Sequence, residues 1–187
     1  MIGVDLFSGA GGMSLGAQWA GVDVRFAVEA DPHAAKTFAA NQPGVSVINK
    51  PIEEVESIQI PKGLRPLIVF GGPPCQGFST SNQRTRSSGN PLNWLFREYI
   101  RVARTLMPDW LVFENVPGLA VTEGGKFLRA VLSELSRLGY RTHYLVFSAV
   151  EFGVPQRRSR LFIVGSLHDE EFRVPVPVAG IVSVDDA

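Results

Sequence analysis

From its first residue the chain alternates short apolar runs with segments of helical periodicity, and glycine, proline or an acid closes nearly every run. Ile2 to Phe7 is the first apolar run, followed by the glycine-rich turn Ser8-Gly9-Ala10-Gly11-Gly12 and helical spacing from Met13 to Trp19. A second strand, Val24 to Val28, leads into Glu29-Ala30-Asp31. Asp31 before Pro32 is an N-cap with proline at the first helical position, which predicts a helix through Phe38 that stops near Asn41. Val45 to Ile48, Leu67 to Phe70 and Trp110 to Phe113 read as the third, fourth and fifth strands. Helices are predicted over Asn93 to Leu106 and Lys126 to Leu138, and Thr142 to Phe147 with Leu161 to Val164 read as two antiparallel closing strands. Parallel strands need crossovers long enough to hold a helix, so this order specifies an α/β fold with a doubly wound, mostly parallel sheet.

At 187 residues the chain suits one core, and no apolar run approaches the roughly 20 residues of a membrane span. One cysteine and three histidines leave little for a disulfide or a metal cage, and a reducing, cytoplasmic setting fits best. Net charge is zero but unevenly spread: residues 84–160 hold 12 of the 18 Lys/Arg and 6 of the 18 Asp/Glu, leaving that stretch at +6. Nearly all of it is arginine, whose fork suits phosphate oxygens, so a nucleic-acid partner is permitted, although most such stretches are solvated faces.

The cysteine stands in Phe70-Gly71-Gly72-Pro73-Pro74-Cys75-Gln76-Gly77-Phe78-Ser79, where two glycines and two prolines break the fourth strand. A lone cysteine is ordinarily a small buried hydrophobe. On a stiff turn at the mouth of a sheet it can instead be exposed and tuned as a nucleophile. The fifth strand runs into Glu114-Asn115-Val116-Pro117-Gly118, so Cys75 and Glu114 are predicted side by side at the carboxyl edge, where open α/β sheets place ligands. Partly shielded from water, a carboxyl group there can be protonated and donate to a ring nitrogen. Arg158 and Arg160 alternate along an extended segment before the last strand, so both can face one way. Alone they would be a solvated basic edge.

The first turn is of nucleotide-binding type, because its glycines let backbone approach a ligand and the helix behind it offers free N–H groups. Its spacing is not the Gly-x-Gly-x-x-Gly of dinucleotide enzymes, which argues against a nicotinamide cofactor. Glu29, ending the second strand, can hold both hydroxyls of a ribose; simple helix capping is the plainer reading, and it is taken for Asp31.

Together these pieces resemble the DNA (cytosine-5) methyltransferases. Asp5-Leu6-Phe7-Ser8-Gly9-Ala10-Gly11-Gly12 looks like the first cofactor motif and Glu29-Ala30-Asp31 the second. Gly72-Pro73-Pro74-Cys75-Gln76-Gly77-Phe78-Ser79 is similar to the nucleophile motif, Glu114-Asn115-Val116 to the glutamate motif, and Gln156-Arg157-Arg158-Ser159-Arg160 to the arginine motif. The resemblance implies the Rossmann-like fold of S-adenosylmethionine-dependent methyltransferases, with S-adenosylmethionine as cofactor and double-stranded DNA as partner. It implies that Cys75, Glu114, Arg158 and Arg160 are catalytic. Phe7, Ser8, Gly9, Gly11, Gly12, Glu29, Ala30, Ile52 and Pro74 would bind the cofactor, and Gln76, Ser79 and Ser81 would contact DNA, with residues 79–93 closing over a flipped base.

Two departures stand out. Pro51-Ile52 replaces the usual acid and apolar residue after the third strand, where the acid meets the adenine amino group, so Asn49 or Glu53 would have to substitute. Leu92 stands in the usual place of a loop arginine. Family members also continue into a target-recognition domain and two further motifs. The expectation is therefore a cofactor-binding and catalytic domain over 1–173 and a linker over 174–187. The chain would be a fragment or one subunit of a split enzyme of a restriction-modification system, inactive or weak alone and partnered by a second polypeptide. It would be cytoplasmic and nucleoid-associated when bound to DNA. An RNA cytosine methyltransferase and a non-catalytic binding module remain the alternatives.

Overall fold

A computed structural model of the chain describes residues 1–61, 63–74, 94–168 and 172–178. Its seven strands are β1 (Ile2–Leu6), β2 (Asp23–Val28), β3 (Ser46–Ile48), β4 (Leu67–Gly71), β5 (Trp110–Asn115), β6 (Arg141–Ser148) and β7 (Ser159–Ser166). They form one sheet in the order β3-β2-β1-β4-β5-β7-β6. The first five run parallel to one another, and β7 runs antiparallel between β5 and β6. The expected doubly wound sheet is present, and the order reverses between β1 and β4, the switch point where such sheets bind ligands.

The helices are α1 (Gly12–Trp19), α2 (Pro32–Asn41), α3 (Phe96–Leu106), α4 (Gly118–Val121) and α5 (Lys126–Arg137). Successive strand residues point to opposite faces, and the core divides accordingly. Val4, Leu6, Val69, Leu111, Phe113, Leu161 and Ile163 pack with Tyr99 and Ile100 of α3 and Phe127, Val131 and Leu135 of α5. Phe70 and Ala27 pack on the other face with Phe38 of α2, joined by Met13 and Ala17 of α1. Asp31 caps α2, its carboxylate accepting from the backbone N–H groups of His33 at 2.9 Å and Ala34 at 2.8 Å. The strand boundaries differ most from the sequence expectation in β7, which runs two residues further at each end than Leu161–Val164, and in β5, which continues through Glu114 and Asn115 because both pair with β7, opposite Phe162 and Leu161. None of the described helices is long and apolar enough to cross a membrane.

Candidate active site

The β1–α1 turn needs its unusual backbone. Phe7, Gly9 and Gly11 all have positive φ, at 58°, 55° and 94°. For Phe7 this conformation costs on the order of 1 kcal/mol, and such strain concentrates at ligand sites. At Gly11 a Cβ would lie 2.6 Å from Gln42 Nε2 and 2.8 Å from Phe38, so the turn is pressed onto α2 and only glycine fits. Gln42 Nε2 donates to the Gly11 carbonyl at 2.9 Å and fixes that approach. A Cβ at Gly9 or Gly12 would meet nothing within 4 Å, which leaves open space along the other side of the turn.

The space at Gly12 belongs to a cavity of about 750 Å³ at the carboxyl edge of the sheet, lined by Phe7, Ser8, Gly12 and Met13 from the turn and α1, and by Gly72 and Glu114 from the ends of β4 and β5. Arg158 and Arg160 line it at the start of β7, and Phe147, Phe162, Phe172 and Pro175 give it an apolar flank. Such a volume accommodates a nucleoside-sized ligand. Phe172 stacks on His143 with ring centroids 5.8 Å apart, and the Val178 N–H donates to the Glu151 carbonyl at 2.9 Å, so residues 172–178 lie along that flank.

At the other end of the cavity wall, Arg160 Nε stands 2.8 Å from Glu114 Oε1, both side chains about a quarter exposed. Burial pushes the Glu114 carboxyl above its ordinary range, against the pull of Arg160 and Arg158. A Cβ on Gly72 would come 2.7 Å from Glu114 Oε2, so the carboxylate rests directly on the backbone that leaves β4. Asn115 Nδ2 donates to the Pro73 carbonyl at 3.1 Å and its Oδ1 accepts from Val116 N–H at 2.8 Å, tying the turn after β4 to the turn after β5.

The structure thus gathers Phe7, Ser8, Gly12, Glu114, Arg158 and Arg160 around one cavity, with Gly9 and Gly11 in the same turn. Glu29 sits beside it and bridges backbone: Oε2 accepts from Gly9 N–H at 2.7 Å and Oε1 from Asp31 N–H at 2.8 Å. Glu29 therefore joins the β1–α1 turn to the start of α2 while keeping lone pairs for further donors. Ala30 is exposed, and its carbonyl and that of Glu29 accept from Asn49 Nδ2 at 3.3 and 2.8 Å. Ile52 is not brought onto the cavity wall: the 3-10 turn Ile52–Glu54 points it into the core, where it is 3% exposed, and Arg101 of α3 donates to the Ile52 and Val55 carbonyls. Pro74 is exposed and outside the cavity lining. Cys75, Gln76, Ser79 and Ser81 lie outside the described residues.

Sequence reasoning missed three contributors. Asp5 lies in the middle of an apolar strand, 1% exposed, and lines the cavity; it accepts from Ser14 Oγ at 2.6 Å. Burial raises its carboxyl to about 7, the nearby Glu29 adds to the rise, and Ser14 opposes it. An acid inside a buried apolar run was the available signal. Gly72 and Asn115 were visible only as motif letters, since their roles depend on the β4–β5 pairing.

The comparisons with known proteins agree with this geometry. The chain is 37% identical to the type II methyltransferase M1.HphI of Haemophilus parahaemolyticus over 93% of its own length and 48% of that protein. It is 38% identical to the type II methyltransferase M.AquIA of Picosynechococcus over 95% of its length and 76% of that protein. A crystal structure described as a DNA modification methyltransferase encoded within a prophage of E. coli superimposes with a TM-score of 0.82 at 32% identity, over the whole chain and 53% of that structure. The chain spans about half the length of M1.HphI and of that solved structure. With the C-5 cytosine-specific DNA methylase model matching residues 1–183, and the glycine turn, Glu114 and the arginines meeting at one cavity, the chain belongs to the C-5 cytosine-specific DNA methylase family.

Proposed function

We propose that the chain carries the catalytic half of an enzyme that methylates carbon 5 of cytosine in double-stranded DNA, with S-adenosylmethionine as the methyl donor. The observation that carries this is the meeting of Glu114, Arg158 and Arg160 with the glycine turn on one cavity, beside the strand that runs into Cys75.

The residues present fit the cofactor. The cavity is large enough, the turn leaves room for backbone approach at Gly9 and Gly12, and two buried oxygens on its wall, Asp5 Oδ1 and Ser8 Oγ, have no hydrogen-bond partner among the described residues. Glu29 would hold the ribose hydroxyls. Asn49, its amide nitrogen committed to the Glu29 and Ala30 carbonyls, keeps an amide oxygen suited to the adenine amino group and would replace the acid missing at Pro51. When bound, S-adenosylmethionine supplies an electrophilic methyl group.

Cytosine carbon 5 is a weak nucleophile. Addition of the Cys75 thiolate to carbon 6 converts the ring to an enamine that is nucleophilic at carbon 5. Glu114 in its protonated form donates to ring nitrogen 3 and neutralises the charge developing there, which its shielded position favours. Arg158 and Arg160 hold the base oxygen and neighbouring backbone. After methylation, loss of the carbon 5 proton and expulsion of the thiolate restore both ring and enzyme. None of this can occur within a stacked duplex, so the base is flipped into the cavity. Target recognition falls to the remainder that the longer relatives contain, and the chain works with that remainder, whether in one polypeptide or two.

The test is transfer of a labelled methyl group to duplex DNA and, in parallel, to transfer RNA, by the chain alone and with the polypeptide encoded downstream. Label in cytosine of DNA, lost in Cys75→Ser, is expected when both parts are present. Label only in RNA, or none with either substrate, would overturn the proposal.

A further inference from the structure

We infer that two copies of the chain associate through their β6 strands, paired antiparallel about a two-fold axis at Leu145, so that two sheets become one. The inference concerns the edge of the sheet and holds whichever ligand the cavity takes.

The two edges of the sheet differ. β3, at one edge, has three residues, whereas β6, at the other, has eight. A long free edge invites pairing, and proteins usually blunt it with lysine, proline, a bulge or a cover. Thr142 to Phe147 contains no Lys, Arg, Asp, Glu or Pro, and the register with β7 runs unbroken from Arg141 to Ser148. Phe172 stacks on the ring of His143, which is a contact with the face of the strand and not with its edge.

Two hydrogen bonds fix the direction of the free backbone groups. Ala149 N–H donates to the Arg158 carbonyl at 2.9 Å, towards β7, and Ser148 N–H donates to Glu151 Oε2 at 3.2 Å on the other side. Peptide groups alternate along a strand, so His143, Leu145 and Phe147 bond β7 while Thr142, Tyr144 and Val146 present N–H and C=O outward. Among the described residues no hydrogen bond reaches those outward groups.

A second copy is the occupant because the edge complements itself. Tyr144 and Val146 share one face and are 53% and 51% exposed. With the axis at Leu145, Tyr144 stands opposite Val146 of the second copy and Val146 opposite its Tyr144, two aromatic–β-branched pairs of the kind that stabilise sheets. Both residues face outward, so each pair exchanges two N–H···O=C bonds. On the reverse face Leu145 meets its own copy and His143 meets Phe147, and no charge opposes its like. Moving the axis to Tyr144 sets Val146 against Thr142, and moving it to Val146 sets Tyr144 against Ser148. Because the paired strands are antiparallel, the two cavities open at opposite ends of the joined sheet.

Sedimentation across a wide range of concentration, on the chain and on the chain joined with its remainder, reads the association. The mass should rise from that of one copy to that of two and no further. Val146→Lys puts a charge in mid-edge at an exposed position, and should hold the mass at one copy while thermal unfolding of the dilute chain changes little. Leu145→Cys combined with Cys75→Ser should give a disulfide-linked pair on mild oxidation, since residues opposed in a non-hydrogen-bonded pair lie within disulfide reach. Thr142→Cys in the same background lies about 20 Å from its copy in this register and should give none. A single-copy mass at every concentration would overturn the inference, as would a pair that survives Val146→Lys, growth beyond two copies, or equal cross-linking at Thr142 and Leu145. A joined protein that stays single because its remainder takes the edge would overturn it as well.

Discussion

Gly72 and Glu114 occupy what is nearly one space: a Cβ on the glycine would stand 2.7 Å from Oε2 of the glutamate. The obstructed atom is the far end of a flexible side chain, so the fold can absorb an added methyl by moving the carboxylate. Gly72→Ala should therefore cost less than about 1 kcal/mol in stability, while, on the proposed function, methyl transfer by the chain joined with its remainder falls by about tenfold to a hundredfold because the acid is misplaced. Denaturant unfolding measured beside the transfer rate separates the two effects.

Glu114 feels opposing forces, burial raising its carboxyl and Arg160 and Arg158 lowering it. Arg160→Gln removes the contact at 2.8 Å and leaves burial less opposed, so the Glu114 midpoint should move further up. A carbon-detected titration of the carboxyl reads this directly. Glu114→Gln keeps the shape but cannot supply the acidic proton, and on the proposed function methyl transfer by the chain joined with its remainder should drop by about a hundredfold or more.

Two buried or bonded acids should give the stability curve opposite slopes at its two ends. Asp5 binds a proton more tightly folded, at about 7, than at its ordinary 3.8, so its contribution is full below pH 4 and lost as pH rises through 7. The shift corresponds to about 4 kcal/mol. Asp109, on the opposite edge, is raised by burial but held down to about 2 by Leu67 N–H, Arg65 and His168 together. Its contribution, about 2 kcal/mol, is present above pH 4 and lost as pH falls through 2. Urea unfolding from pH 2 to 8 should show both losses. Asp5→Asn should flatten the upper one and Asp109→Asn the lower.

Much of this molecule is legible as sequence because its punctuation is local. The proline after Asp31, the glycine turn after β1 and the residues ending β4 each act within a few positions, and the strands fall within two residues of expectation. The motif letters likewise placed Glu114, Arg158 and Arg160 at one edge. What stayed hidden depends on partners distant in sequence. Asp5 reads as an intruder in a strand until Ser14 and the cavity wall are seen around it, and Asn115 gains its role only from Pro73, 42 positions away. Ile52 shows the converse: a motif position implied a cofactor contact, whereas Arg101 and α3 anchor its turn against the core.

The β1–β4 pairing sets the switch point, and one glycine controls it. Gly71 pairs with Leu6, and a Cβ there would stand 2.0 Å from the Leu6 carbonyl oxygen and 2.9 Å from its carbon. Unlike the glutamate carboxylate beside Gly72, these are backbone atoms in the centre of a seven-stranded sheet, with neighbours on both sides to hold them. Neither strand can yield without giving up hydrogen bonds and core contacts of Leu6 and Val69. Gly71→Ala should therefore cost more than about 3 kcal/mol and leave little folded chain. Gly16, inside α1 with nothing within 4 Å of its Cβ position, is the matched control, and Gly16→Ala should stabilise by up to about 1 kcal/mol. Thermal unfolding of the two variants side by side distinguishes a required close approach from mere tolerance of a small residue. A Gly71→Ala chain that melts like the parent would refute the close pairing of β1 and β4 on which the whole cavity depends.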